Sequence, residues 1–125
     1  MEAAGRILVV DDNHDVLNTV SRMLSHLGYD VSSADSGESA LRIFLETKFD
    51  VVVSDYEMPG MDGVAFACNL KRFSPCTPIV IMTGGGRETV LSRNGAAVDG
   101  VLSKPFTMTE IDETIRNVAS PALGA

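Results

Sequence analysis

The stretch Arg6-Ile7-Leu8-Val9-Val10-Asp11-Asp12 is a short apolar run that ends in two carboxylates. Consecutive aliphatic residues without a polar alternation describe a strand buried on both faces, the form strands take inside a parallel sheet. The two acidic residues then mark where the chain leaves the core. The pattern returns at Val51-Val52-Val53-Ser54-Asp55. Two distant strand ends bearing carboxylates suggest one pocket for a divalent metal and a phosphoryl group.

Outward from these runs, strands are expected at Arg6-Val10, Tyr29-Ser33, Val51-Ser54, Pro78-Met82 and Gly100-Leu102. Segments of helical period separate them. Val16, Val20, Leu24 and Leu27 mark the first helix, stopped by Gly28. Ala40, Leu41, Phe44 and Leu45 mark the second, with Ser36 as its N-cap. A third runs from Asp62 to Phe73 and is apolar on more than one side. A fourth covers roughly Glu88 to Arg93 and closes at Asn94-Gly95. Met108, Ile111, Ile115 and Val118 form the last, capped by Thr107, with Pro121 beyond its end. Strict alternation of strand and helix predicts an α/β domain with a parallel sheet wrapped by helices. Ligands of such sheets bind at the carboxyl ends of the strands, where Asp11, Asp12, Asp55, Thr83 and Lys104 all fall.

The chain has 125 residues, 45% hydrophobic and 22% charged, which suits one domain spanning 1–125 with its core at about 5–120. Met1-Gly5 and Ser120-Ala125 read as loose ends. A domain of this size buries roughly two-thirds of its unfolded surface and needs no disulfide or zinc to fold. The net charge of −7 argues against direct nucleic-acid binding through a basic footprint and against anionic membranes. Cys68 and Cys76 form no ligand pattern, and read as a buried and a loop thiol in a cytoplasmic protein. Ile7-Val10 is too short for a signal sequence, and no apolar stretch reaches membrane-spanning length.

Mg²⁺ takes oxygen ligands and keeps several waters, so one or two carboxylates and a phosphate suffice to hold it. Asp11, Asp12 and Asp55 supply three carboxylates, which would repel one another without a cation. The simpler alternative for Asp11-Asp12 is a cap on the helix beginning near His14. Asp55 is placed as a nucleophile that accepts a phosphoryl group as an acyl phosphate. Lys104 would supply the neutralising cation and Thr83 a hydroxyl to a phosphoryl oxygen. Thr83 precedes Gly84-Gly85-Gly86, where the backbone can approach closely and move. His14 and His26 read as surface or packing residues.

Four segments in order carry a resemblance: Asp11-Asp12; Asp55 followed by Met58-Pro59-Gly60-Met61-Asp62-Gly63; Ile81-Met82-Thr83-Gly84; and Lys104-Pro105-Phe106. Together they resemble the response-regulator receiver domain, the phosphoacceptor module of two-component signalling, over nearly the whole chain. The resemblance implies a flavodoxin-like sheet in the order 2-1-3-4-5 with five surrounding helices. It implies Asp55 as phosphoacceptor, and Asp12, Asp11, Asp55 and the backbone carbonyl of Glu57 around Mg²⁺, with Mn²⁺ as an alternative. Thr83 is similar to the switch hydroxyl, Lys104 to the pairing lysine, and the bond before Pro105 to a cis peptide. The implied partners are a histidine kinase or a histidine phosphotransfer protein. A downstream protein, or a second copy in a homodimer, would use the fourth helix, fifth strand and fifth helix (Arg87, Val90, Leu91, Val101, Glu113).

Two positions depart from the family's pattern. Val101 stands where members often carry a mobile aromatic, so the loop after Thr83 is expected to report phosphorylation. Glu57 puts a carboxylate beside the reacting group and is expected to change the lifetime of phospho-Asp55. Other readings are a phosphorelay intermediate that passes phosphate to a histidine phosphotransfer protein, and an adaptor that binds partners without phosphorylation. A phosphatase of the haloacid dehalogenase type needs aspartate where Glu57 stands, so no turnover enzyme is expected. A stand-alone regulator and a receiver cut from a longer chain both remain open.

Overall fold

A computed structural model describes residues 5–123. The elements follow the order β1 (Arg6–Val10), α1 (His14–His26), β2 (Asp30–Ala34), α2 (Gly37–Glu46), β3 (Val51–Asp55), α3 (Gly63–Phe73), β4 (Ile79–Thr83), α4 (Arg87–Asn94), β5 (Gly100–Ser103) and α5 (Met108–Leu123). A 3-10 turn at Gly95–Ala97 joins α4 to β5. The strands form one parallel sheet in the order β2-β1-β3-β4-β5.

Alternation along each strand divides the core into two layers. Leu8, Val10, Val52, Ile79 and Ile81 face α2, α3 and α4, where Phe66, Leu70 and Val90 meet them. Ile7, Val9, Val51, Val53, Val80 and Met82 face α1 and α5, against Leu17, Leu24, Ile111 and Ile115. β1, β3 and β4 are covered on both sides, which explains their unbroken aliphatic runs. β2 and β5 are the sheet's edges and stay partly exposed. Each fully buried aliphatic side chain contributes about 1.5–3 kcal/mol. Phe66, the largest fully buried side chain, belongs to the layer under α3, and truncating it to alanine would cost ~3–5 kcal/mol.

Several boundaries differ from the sequence expectation. β2 begins at Asp30, and Tyr29 is instead packed into the α1/α5 layer. α1 buries Leu17, Val20 and Leu24, while Val16 and Leu27 lie at the rim of that stripe. α5 runs past Pro121 to Leu123; a proline near a helix end removes one N–H donor yet keeps a helical φ. Cys68 is half-buried and Cys76 exposed. Among the described residues, no helix is long and apolar enough to cross a membrane.

The register aligns the carboxyl ends of the strands. Val10 is paired with Ser54, Asp55 with Met82, and Thr83 with Ser103. The residues that follow β1 and β5, and the last residues of β3 and β4, therefore reach the same edge.

Candidate functional site

Asp11 emerges from β1 onto a helix start whose cap is Asn13. The Asn13 side chain accepts from the N–H groups of Asp15 (3.0 Å) and Val16 (3.2 Å). Capping therefore falls to Asn13, and the aspartates are left for other work. The Asn13 N–H in turn donates to Asp11 Oδ1 at 2.9 Å. Asp55 ends β3 and is 7% exposed, and Asp11 only 1%. Behind Asp55, Asp62 caps α3 by accepting from the Ala65 N–H at 2.8 Å. Gly63 packs so closely there that a Cβ would collide with the Asp55 carbonyl oxygen, which only glycine avoids.

Lys104 follows β5, and its N–H donates to the Thr83 carbonyl at 2.8 Å. Its Nζ lies 2.6 Å from Asp55 Oδ1 and 3.6 Å from Asp11 Oδ2. The Lys104–Pro105 peptide bond is cis. Asp11, Asp12 and Asp55 each present an oxygen within 4.8 Å of the others, so three carboxylates face one ammonium. Burial pushes the Asp11 carboxyl above its ordinary range; the Asn13 hydrogen bond opposes this, and the charge of Asp55 adds to it. Burial alone would lower Lys104, but the hydrogen bond and charge of Asp55, with the charge of Asp11, outweigh it and hold the ammonium above its usual value.

Asp11 Oδ2 is buried without a hydrogen-bond partner. Together with Asp12, which is exposed at the mouth, it leaves hard oxygen donors underused beside an excess of negative charge. That donor set fits Mg²⁺, which favours carboxylate oxygen and water.

Thr83 ends β4, 2% exposed, and its Oγ1 accepts from the Gly85 N–H at 3.0 Å. A cavity of about 210 Å³ opens above it, lined by Asp55, Tyr56, Glu57, Thr83, Gly84 and Lys104. A neighbouring cavity of about 440 Å³ is lined by Asp12, Tyr56, Glu57, Met58, Pro59 and Asp62. Glu57 is exposed and borders both. The sequence reading missed Asn13, whose signal was an Asn directly before the first helical residue, and Tyr56, for which no pattern existed.

The other candidates lie apart. His14 and His26 are exposed, and His14 Nε2 stands 3.5 Å from Asp35. On the fourth-helix face, Val90 is fully buried and therefore part of the core, while Leu91 and Glu113 are exposed and Val101 half-buried. The Arg87 side chain lies outside the described residues.

Residues 7–116 match the family described as Response regulator receiver domain. Chemotaxis protein CheY-3 of Vibrio cholerae is 32% identical over 117 residues, covering 90% of each chain. The autoinducer 1 sensor kinase/phosphatase LuxN of Vibrio harveyi is 32% identical over 111 residues, which are 89% of this chain but 13% of LuxN. The crystal structure of chemotaxis protein CheY4 of Vibrio cholerae superposes with a TM-score of 0.86 at 31% identity, covering 94% of this chain and 99% of that one. With a family match across most of its length, and a sheet order and strand-end cluster to go with it, the chain belongs to the response regulator receiver domain family.

Proposed function

We propose that the chain accepts a phosphoryl group onto Asp55 from a phosphohistidine of a partner kinase in a Mg²⁺-dependent reaction, within the cytoplasm. The observation that carries this reading is the position of Lys104 Nζ, 2.6 Å from Asp55 Oδ1 and beside two further carboxylates. A lysine fixed there neutralises the nucleophile's surroundings and can pair with an incoming anionic group.

In the proposed transfer, an Asp55 carboxylate oxygen attacks phosphorus, the P–N bond to the histidine breaks, and its electron pair returns to the imidazole. Lys104 holds Asp55 in place before attack and pairs with phosphoryl oxygen afterwards. Thr83 exchanges its contact with Gly85 for a hydrogen bond donated to a phosphoryl oxygen. Asp11, Asp12, Asp55 and the Glu57 carbonyl would hold Mg²⁺, or Mn²⁺ in its place, which would supply charge neutralisation for the incoming oxygens. Water later attacks phosphorus and the Asp55 carboxylate leaves, so the cycle returns the protein unchanged. The protein acts on itself and turns over no separate substrate. A downstream protein would read the change on the α4, β5 and α5 face, through exposed groups such as Leu91 and Glu113.

Intact mass after incubation with acetyl phosphate and Mg²⁺ tests the proposal. One added phosphoryl group is expected, absent in Asp55→Asn and after chelation. No adduct in the wild type would favour an adaptor that works unphosphorylated. Transfer onward to a histidine phosphotransfer protein would make it a relay intermediate. Glu57→Gln is expected to change the decay rate of phospho-Asp55; identical decay would remove that role from Glu57.

A further inference from the structure

We infer that Tyr56 is the side chain through which a phosphoryl group on Asp55 is felt in the α3–α4 side of the core. The inference rests on the phosphorylation proposed above and gives it a route.

Tyr56 is the one hydrophobic side chain lining the cavity over Asp55, and it packs against the apolar layer that contains Val90 and Val98 and that Val101 also borders. The opposite layer, built on Leu17, Ile111 and Ile115, contributes nothing to that lining. Tyr56 also borders the neighbouring cavity with Asp12, and is the one aromatic residue in either lining. Val101 touches the same layer without reaching the cavity, so β5 offers no second connection of this kind.

The main chain at Tyr56 is pinned on both sides. Its N–H donates to the Met82 carbonyl at 2.8 Å, and its carbonyl accepts from the Gly63 N–H at 2.8 Å. With Gly63 seated against Asp55 and both bonds made, the backbone is held on either side, and the side-chain torsions are the softer route for a rearrangement. A phosphoryl group brings volume and charge into a space of about 210 Å³. The half-buried ring is the part of its wall that backs onto close-packed apolar residues. Close-packed interiors pass such a displacement through the layer, which here includes Val90 of α4. Tyr56 is thus a positioning residue for the α4 surface and takes no part in the bond changes.

The chain has two tyrosines and no tryptophan, so Tyr29→Phe leaves Tyr56 as the only tyrosine fluorophore. With acetyl phosphate and Mg²⁺, the emission of this variant is expected to change in step with the phosphoprotein fraction measured by intact mass. In the otherwise wild-type protein, the amide resonances of Val90, Leu91 and Val98 shift on phosphorylation. In Tyr56→Leu, compared at equal phosphoprotein fraction, those shifts are lost; Tyr56→Phe, which keeps the ring, restores them. Unchanged emission while the adduct forms, or shifts that persist in Tyr56→Leu, overturns the role of Tyr56 and leaves the phosphorylation standing. If Tyr56→Leu forms no adduct, the ring serves the transfer itself and the coupling role fails. If the wild type forms none, the phosphorylation and this inference fall together.

Discussion

The sheet carries a lysine–aspartate pair at each end, and their surroundings differ. At the amino-terminal edge, Lys71 Nζ is 2.7 Å from Asp99 Oδ2 and donates to the Thr77 carbonyl at 2.7 Å. Asp99 Oδ2 also accepts from the Ile79 N–H at 2.8 Å. One cation meets one anion there, and the pair ties the end of α3 to the starts of β4 and β5. At the carboxyl edge, Lys104 and Asp55 are as close, but Asp11 and Asp12 crowd the same space and Asp11 Oδ2 lacks a hydrogen bond. The first pair is satisfied and serves the fold. The second is short of positive charge, which costs stability and, in the function proposed, suits it to take up a cation and a phosphoryl group.

The sharpest separation of the two comes from removing each lysine. Lys104→Ala should slow phosphorylation by acetyl phosphate about 100-fold, the scale of losing one preorganised charge-stabilising donor. Lys71→Met should leave that rate unchanged and cost ~1–2 kcal/mol in urea unfolding, a moderate value because Asp99 is partly solvated. A slower phosphorylation in Lys71→Met would break the contrast.

Asp11→Asn tests the cost at the carboxyl edge. It should stabilise the protein by ~1 kcal/mol in chelator, and abolish the rise in melting temperature expected when Mg²⁺ is added to the wild type. Burial raises Asp11 above 3.8, so its contribution to metal-free stability is fully present below pH 3.8 and is lost as pH rises through the higher folded-state value. The advantage of Asp11→Asn should therefore be greatest at neutral pH and shrink on acidification, as urea midpoints across pH would show.

The smallest effect is expected back at the structural edge. Tyr29 donates to Asp112 Oδ1 at 3.4 Å, and Asp112 also pairs with Arg116 at 3.1 Å. So long a bond contributes little, and Tyr29→Phe should cost no more than ~0.5 kcal/mol at pH 7. Burial, and then the charge of Asp112, raise the Tyr29 phenol above 10.0. The stability linked to it is full below pH 10.0 and is lost as pH rises through the folded value. Tyr29→Phe should flatten that alkaline decline, readable in melting temperatures at high pH.

The central strands were legible because burial on both faces permits little but aliphatic residues, so β1, β3 and β4 announce themselves as unbroken runs. The edge strand β2 was read one residue early, because Asp30-Val31-Ser32-Ser33 faces solvent in part and obeys a weaker rule. Val90 was read as surface because α4 carries little amphipathic pattern, though the fold buries it completely. The positions of Asp11, Asp55, Thr83 and Lys104 could be anticipated at one edge, since each follows or ends a strand run and parallel strands share a direction.

What the sequence by itself determined is therefore the strand–helix alternation, the edge at which the charged residues gather, and the family pattern they compose. These depend on local apolar periodicity and on residue order, which the chain carries in one dimension. Only the tertiary structure decided that Asn13 holds the helix cap and clasps Asp11, that Lys104 reaches Asp55 at 2.6 Å while Asp11 Oδ2 has only a 3.6 Å ion pair and no hydrogen bond, and that Tyr56 joins the cavity to one layer of the core. Those facts depend on strand register and on side-chain direction across 49 residues of separation, which closure of the sheet fixes and local sequence does not.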